Sequence, residues 1–159
     1  MSATPRRSSS PPPPSPEERR RGEPGKALLV TVAHGTRKTE GNRVAVELTV
    51  EAGRRLGLPS IASYVELCEP LFADVVAGLR QPAIVVPLLL STGFHVRHDL
   101  PAAVADAGAP VVLGDPLGPD PLLAAAQVDR LVEAGAVPGQ PIVMVAAGSN
   151  DPAASAGLI

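Results

Sequence analysis

The sequence predicts an α/β fold built on a doubly wound, mostly parallel sheet, preceded by a disordered N-terminal tail. Two observations predict the sheet. Unbroken apolar runs recur along the chain, as is typical of strands covered on both faces. Amphipathic segments with helical spacing separate these runs, and such an alternation implies right-handed crossovers between parallel strands. With 159 residues, the chain is long enough for one domain with a substantial core.

The first 25 residues are low in sequence complexity. Serine, proline and arginine dominate them, and they contain almost no apolar side chains. Because burial of such a segment cannot offset the entropy of ordering it, we expect residues 1–25 to be disordered. We place the folded domain at residues 26–138.

The folded domain is expected to begin with a strand over residues 27–33, an unbroken apolar run. A helix is predicted over residues 42–56, where an apolar stripe recurs at i, i+4 spacing: Val44, Leu48, Ala52 and Leu56. Gly57 and Pro59 end this helix. Residues 60–67 alternate between polar and apolar side chains and form the predicted second strand.

A second helix is predicted from the apolar stripe Leu71, Phe72, Val75, Val76 and Leu79. The third strand covers residues 83–90, which are rich in β-branched side chains. Pro87 lies within this strand and cannot donate to the ladder, so we expect it at a bulge or where the strand splays. The next helix is predicted to be N-capped by Asp99, with Pro101 in its first turn, and to end near Ala107.

The last predicted elements are a short strand over residues 110–113, a helix that Asp120 caps and that ends near Gly135, and a strand over residues 142–146. Residues 143–150 also repeat the pattern of residues 30–37, a strand followed by a glycine-containing turn. Either all strand-to-helix turns in such a fold look alike, or residues 139–159 begin a second, truncated repeat. We favour the repeat.

Composition argues against several classes of protein. The net charge of −2 suggests neither a nucleic-acid nor a membrane-surface partner, and the three aromatic residues (one tyrosine, two phenylalanines) argue against a base-stacking module. Cys68 is the single cysteine, which excludes an intrachain disulfide and suits a reducing compartment. Because no apolar run is long enough for a membrane span or a signal peptide, we expect a cytoplasmic protein.

Two histidines follow predicted strands of the sheet. His34 comes after the first strand and His95 after the third, and both should emerge at the carboxyl edge, where open α/β sheets bind ligands. Alone, each is better explained as a structural, locally hydrogen-bonded histidine. Because these two strands are often neighbours at the switch point of such sheets, the pair becomes a candidate site for a divalent transition metal.

Glu66 lies near the end of the second strand, at the same edge of the sheet. It would complete a two-imidazole, one-carboxylate site or accept a proton, although a solvated charge is the simpler interpretation. Three other residues are weaker candidates. Glu69 belongs to a turn, Cys68 is most simply a small buried residue, and His98 lies where its ring can point elsewhere.

Three arginines flank the two histidine loops: Arg37, Arg43 and Arg97. Solvated surface charge is the usual role of such residues, but their shared location makes them candidates for binding an anionic substrate. Gly93 would give the loop before His95 a flexible rim. The glycine patterns of dinucleotide-binding and P-loop proteins are missing, as is the Gly-x-Ser-x-Gly elbow of hydrolases, so these classes are disfavoured.

Four segments together resemble the sirohydrochlorin chelatase family, the small class II chelatases that insert cobalt or ferrous iron into sirohydrochlorin. They are residues 32–42, 64–70, 85–90 and 93–101, and the likeness spans residues 27 to about 125. The resemblance implies a lyase of cobalamin or sirohaem biosynthesis in which His34 and His95 are the metal-binding, catalytic histidines and Glu66 is their acidic partner. His98 falls where the family varies.

The resemblance also implies the ligands and partners of the chain. Sirohydrochlorin is the expected substrate, with Co²⁺ or Fe²⁺ as a second substrate rather than a tightly bound cofactor. Short members of the family pair as homodimers and long members contain two similar halves, so this chain looks like the N-terminal half of a long form. We therefore expect pairing in a homodimer or with a second half-domain. The alternative is a non-catalytic carrier of metal or tetrapyrrole on the same fold.

Overall fold

The computed structural model describes residues 26–90 and 93–145, in which strands and helices alternate. In chain order the elements are β1 (Leu28–Ala33), α1 (Thr39–Leu56), β2 (Ser60–Tyr64), α2 (Phe72–Ala77), β3 (Ala83–Pro87), α3 (Leu100–Ala105), β4 (Val111–Leu113) and α4 (Pro121–Glu133). A single π-helical turn, His95–Asp99, leads directly into α3. The predicted α/β class is confirmed. Within the described ranges no helix is both long and apolar enough to cross a bilayer.

The four strands form one parallel sheet in the order β2-β1-β3-β4. The chain steps from β1 to β2, then crosses back over β1 to β3, so β1 lies at the switch point of the sheet. The prediction that the first and third strands are neighbours is confirmed by the pairing of Val32 with Pro87. Ligands of open α/β sheets bind beyond the carboxyl ends of strands at such a point.

Helices cover both faces of β1. Successive side chains of the strand point to opposite faces, so each face packs against a different set of helices. On one face, Val30 and Val32 pack into a buried cluster with Phe72, Val76 and Leu100, which brings α2 and the start of α3 against the sheet. On the other face, the buried hydroxyl of Thr31 lies 2.5 Å from that of Thr49 in α1. The sheet is therefore doubly wound, as predicted.

The predicted buried stripe of α1 is wrong. Val44 and Leu56 are 61% and 63% exposed, and Leu48 is also exposed. The buried positions are instead the small residues Ala45, Thr49 and Gly53. Small side chains let α1 approach the sheet closely, and a methyl group at Gly53 would collide with the side chain of Ser60 in β2. The face of α1 that is buried is therefore set by its close approach to the sheet and by the Thr31–Thr49 hydroxyl pair, and not by the spacing of its large apolar residues.

Two strands are shorter than predicted. β2 ends at Tyr64 because the chain turns sharply at Leu67, a residue with a left-handed φ of 69°. β3 ends at Pro87, which lacks the N–H that the ladder would use next. The ladder nevertheless extends past the proline, since the N–H of Leu88 donates to the carbonyl oxygen of Val32. Pro87 is thus the last residue of β3, which fits the predicted splaying of the strand rather than the alternative, a bulge.

Two further predictions fail in the C-terminal half. Asp99 does not cap a helix, since its backbone is already helical and its carboxylate binds His95. Residues 142–145 form no strand with any described residue. Val143 and Val145 are 87% and 88% exposed there, because apolar composition does not make a strand without a neighbour for its backbone groups. The predicted cap of α4 is confirmed, as Asp120 accepts a hydrogen bond from the Leu122 N–H. The tail (1–25) and residues 146–159 lie outside the described residues.

Candidate metal centre

The loop after β1 positions His34. Its next residue, Gly35, has a φ of +95°, a conformation that side chains rarely adopt, and a methyl group there would collide with the carbonyl oxygen of Glu66. Asn42 holds the far side of the loop, because its amide oxygen accepts from the Thr36 N–H and its amide nitrogen donates to the Thr36 carbonyl oxygen. The first turn of α1 thereby fixes the loop that carries His34.

Tyr64 in turn supports Asn42 from the end of β2. Its hydroxyl donates to the backbone carbonyl oxygen of Asn42 at 3.1 Å. Burial raises the pKa of Tyr64 above its ordinary value, so the hydroxyl stays protonated and available as the donor. These hydrogen bonds, from Tyr64 to Asn42 and from Asn42 to Thr36, therefore connect β2 to the loop that carries His34.

We predict that Asn42→Ala lowers the free energy of unfolding by about 1–2 kcal/mol, because it leaves both backbone groups of Thr36 without their side-chain partner. Urea denaturation measures the change. Asn42→Asp keeps the acceptor for the Thr36 N–H but sets a carboxylate oxygen against the Thr36 carbonyl oxygen, so a loss at least as large is expected. An Asn42→Ala variant as stable as the wild type would contradict this account of the loop.

Glu66 lies beside His34 because the backbone segments that follow β1 and β2 stay hydrogen-bonded to each other beyond the ends of the two strands. The N–H of Val65 donates to Ala33, and the N–H of Glu66 donates to His34, in both cases to the backbone carbonyl oxygen. The His34 Nε2 and Glu66 Oε1 atoms are 3.6 Å apart, and both side chains are about half exposed. The two side chains are therefore adjacent and accessible to a ligand.

His95 reaches the same place from the π-helical turn that follows β3. Its ring lies edge-on to that of His34, with centroids 5.0 Å apart and an interplanar angle of 80°. The His95 Nδ1 atom is 2.6 Å from Oδ2 of Asp99, one turn later. Both side chains are partly exposed. The Nε2 atom of His95 is thus the ring nitrogen left for a ligand.

The structure brings the three principal candidates together. His34, Glu66 and His95 each offer a ligand atom, and these atoms lie within 4.8 Å of one another. A first-row divalent ion, held at about 2.0–2.2 Å from each ligand, keeps its ligand atoms about 3–3.5 Å apart. Rotation of partly exposed side chains closes a difference of this size. Two imidazoles and one carboxylate are a donor set that suits Fe²⁺ and related ions.

The other candidates lie around this cluster or apart from it. Arg37 is exposed on the His34 loop, and the exposed Arg97 belongs to the turn of His95, where its N–H donates to the carbonyl oxygen of Gly93. Arg43 instead pairs with Glu47 on the exposed side of α1.

The weaker candidates stand outside the cluster of His34, Glu66 and His95. The ring of His98 packs against Phe94, with centroids 4.6 Å apart. Glu69 accepts a hydrogen bond from the Leu71 N–H, and Cys68 is a partly buried free thiol. Sequence reasoning missed the support given by Asn42 and Asp99. For Asp99 the signal was its i, i+4 spacing from His95.

The CbiX family model matches residues 28–134, two thirds of the chain. The chain belongs to the CbiX family. It is 30% identical over 135 residues to a sirohydrochlorin ferrochelatase of Priestia megaterium, covering 77% of this chain and 50% of that protein. It is 27% identical over 137 residues to a sirohydrochlorin cobaltochelatase of Methanopyrus kandleri, covering 67% and 95%.

The fold of this CbiX family member is similar to that of SirB from Bacillus subtilis, whose structure was solved with Fe³⁺. The TM-score is 0.67 and the identity 28%, over 83% of this chain and 57% of that one. The chain spans half the length of the Priestia megaterium protein and nearly all of the Methanopyrus kandleri protein.

Proposed function

We propose that this chain inserts a divalent metal, Co²⁺ or Fe²⁺, into sirohydrochlorin, in cobalamin or sirohaem biosynthesis. The observation that supports this best is the convergence of His34, Glu66 and His95 at the switch point of the sheet. Membership of the CbiX family and relatives named as sirohydrochlorin ferrochelatase and cobaltochelatase support the same reaction.

The first step of the reaction is capture of the metal. His34 and His95 supply neutral imidazole nitrogens and Glu66 supplies a carboxylate oxygen, while the remaining coordination positions stay open to water and then to the pyrrole nitrogens. This donor set accepts both Co²⁺ and Fe²⁺ and discriminates weakly between them. The partial exposure of all three side chains gives a macrocycle access to the ion.

Insertion also displaces two protons from the pyrrole N–H groups. Glu66 or a histidine accepts one of them once the metal has moved into the ring, and the other passes to water. The 3.6 Å between His34 Nε2 and Glu66 Oε1 lets either group take part without a large movement. Proton acceptors and metal ligands are thus the same side chains, used in sequence.

The macrocycle is bound through its peripheral carboxylates. Arg37 and Arg97 lie on the two segments that carry the histidines, which suits contact with an anionic substrate at the edge of the site. Gly93 precedes the turn of His95 and offers a rim without a side chain. Arg43 contributes less than the other two in this proposal, because Glu47 already partners its guanidinium.

The decisive experiment is a spectroscopic insertion assay of the purified chain with sirohydrochlorin and Co²⁺, Fe²⁺ or Ni²⁺ in parallel reactions. We expect many turnovers per chain with Co²⁺ or Fe²⁺, above the rate of the metal and macrocycle alone. A spectral change that stops at one equivalent would support the alternative, a non-catalytic carrier. Rates equal to those without protein would refute the proposal.

Pairing with a second copy or a second half-domain is also part of the proposal. Support comes from apolar side chains exposed on one side of the molecule. Ile84 and Val112 are neighbours in register on the sheet face that carries α1, and the exposed stripe of α1 includes Val44 and Leu48. Residues 26–138 form the paired domain in this scheme, and residues 139–159 begin the next repeat.

The single cysteine, Cys68, fits a cytoplasmic location.

A further inference from the structure

The two histidines of the cluster are held differently. The Nδ1 atom of His95 is 2.6 Å from a carboxylate oxygen of Asp99, a short, charge-assisted contact. The Nδ1 atom of His34 is 3.4 Å from the carbonyl oxygen of its own neighbour, Gly35, at the long limit of a hydrogen bond. Only one of the two rings therefore has a strong partner on the nitrogen that faces away from the cluster.

We propose that Asp99 is a positioning residue, which accepts the Nδ1–H of His95 and so directs the Nε2 lone pair of that ring toward the metal. This inference rests on the proposed function of the cluster. A histidine that binds metal through one nitrogen commonly donates its other N–H to a carboxylate, which fixes both the tautomer and the ring orientation. Asp99 needs no contact with the ion or the macrocycle for this role.

The backbone around Asp99 makes it a rigid support. The π-helical turn closes with a hydrogen bond from the Leu100 N–H to the carbonyl oxygen of His95, which holds His95 and Asp99 on one turn. Leu100, the next residue, is fully buried in the core against α2 and the sheet. Because Asp99 directly precedes this anchor, the orientation of the His95 ring is tied to the packed core.

The tautomers of the histidine rings can be read directly from long-range ¹H–¹⁵N correlation spectra of the ¹⁵N-labelled chain at alkaline pH, without metal. We expect His95 to carry its proton on Nδ1 in the wild type. In Asp99→Ala, the proton is expected to move largely to Nε2, the usual site in an unconstrained ring. The signals of His98, whose ring packs against Phe94, serve as the internal reference and should change little.

Binding of Co²⁺ alone, measured by calorimetry or by the visible spectrum of the ion, gives the second readout. We expect Asp99→Ala to weaken Co²⁺ binding by about 10–100-fold. Asp106→Ala is the matched control, since Asp106 is an exposed aspartate at the other end of α3 and should leave the affinity unchanged.

Three outcomes separate this inference from the proposed function. A proton on Nε2 of wild-type His95 overturns the inference, and this spectrum decides the point even if Asp99→Ala does not fold. Unchanged Co²⁺ affinity in a folded Asp99→Ala variant overturns it as well. If the tautomer and affinity behave as expected but no metal enters sirohydrochlorin, the chelatase proposal fails and the positioning role of Asp99 stands.

Discussion

Replacement of His34 or His95 by alanine is expected to lower the rate of Co²⁺ insertion into sirohydrochlorin by about tenfold to a thousandfold. Each change removes one of the three ligand atoms that lie within 4.8 Å of one another, and with it a candidate proton acceptor. The rate of metallation, followed through the absorption spectrum of the macrocycle, measures the loss. Both side chains are partly exposed, so neither truncation opens a cavity in the core, and the variants should fold.

His98 provides the matched control for these variants. It is the third histidine of the chain, lies three residues after His95, and packs against Phe94 instead of joining the cluster. His98→Ala should therefore insert Co²⁺ at the wild-type rate. Near-normal activity in His34→Ala or His95→Ala would remove the cluster from the mechanism, and a loss in His98→Ala equal to theirs would show that the assay reports general damage.

The sequence alone predicts that the first and third strands are neighbours and that the histidines lie at the carboxyl edge of the sheet. Apolar runs separated by amphipathic segments leave few topologies, and in a parallel sheet every strand ends at the same edge. That is why His34, Glu66 and His95, which follow three different strands, are expected at one edge. The structure places them side by side, and their roles in catalysis stay predictions.

What sequence reasoning missed depends on contacts between distant parts of the chain. The buried face of α1 is set by Thr49, which meets Thr31, and by Gly53, which lies against Ser60. No periodicity in α1 itself reveals these partners in the sheet. Asp99 followed by Pro101 resembles a helix start, yet the helix begins earlier with a π turn, and the carboxylate then has His95 as its partner. Local capping signals are reliable where nothing else competes for the side chain, as at Asp120.

Gly35→Ala is expected to lower the free energy of unfolding by about 3 kcal/mol or more and to reduce metal insertion sharply. Two effects add at this position. The φ of +95° is strained for any residue with a side chain, and the added methyl group would collide with the backbone carbonyl oxygen of Glu66. Relief of that collision must move the loops of His34 and Glu66 apart, and these loops carry two of the three candidate metal ligands. Urea denaturation and the Co²⁺ insertion assay measure the two effects.

Gly57→Ala is the matched control, because it tests the effect of a left-handed φ without any collision. Gly57 also has a left-handed φ, +64°, but a methyl group there would meet no atom within 4 Å, and it lies at the other end of α1 from the site. Gly57→Ala should therefore cost only the conformational term, about 1–2 kcal/mol, with insertion by the folded protein unchanged. If the two variants lose equal stability and Gly35→Ala keeps full activity, the close approach of Gly35 to Glu66 does not shape the site. A larger loss of both properties in Gly35→Ala alone would show that the backbone contact between the first two strand ends sets the spacing of the metal ligands.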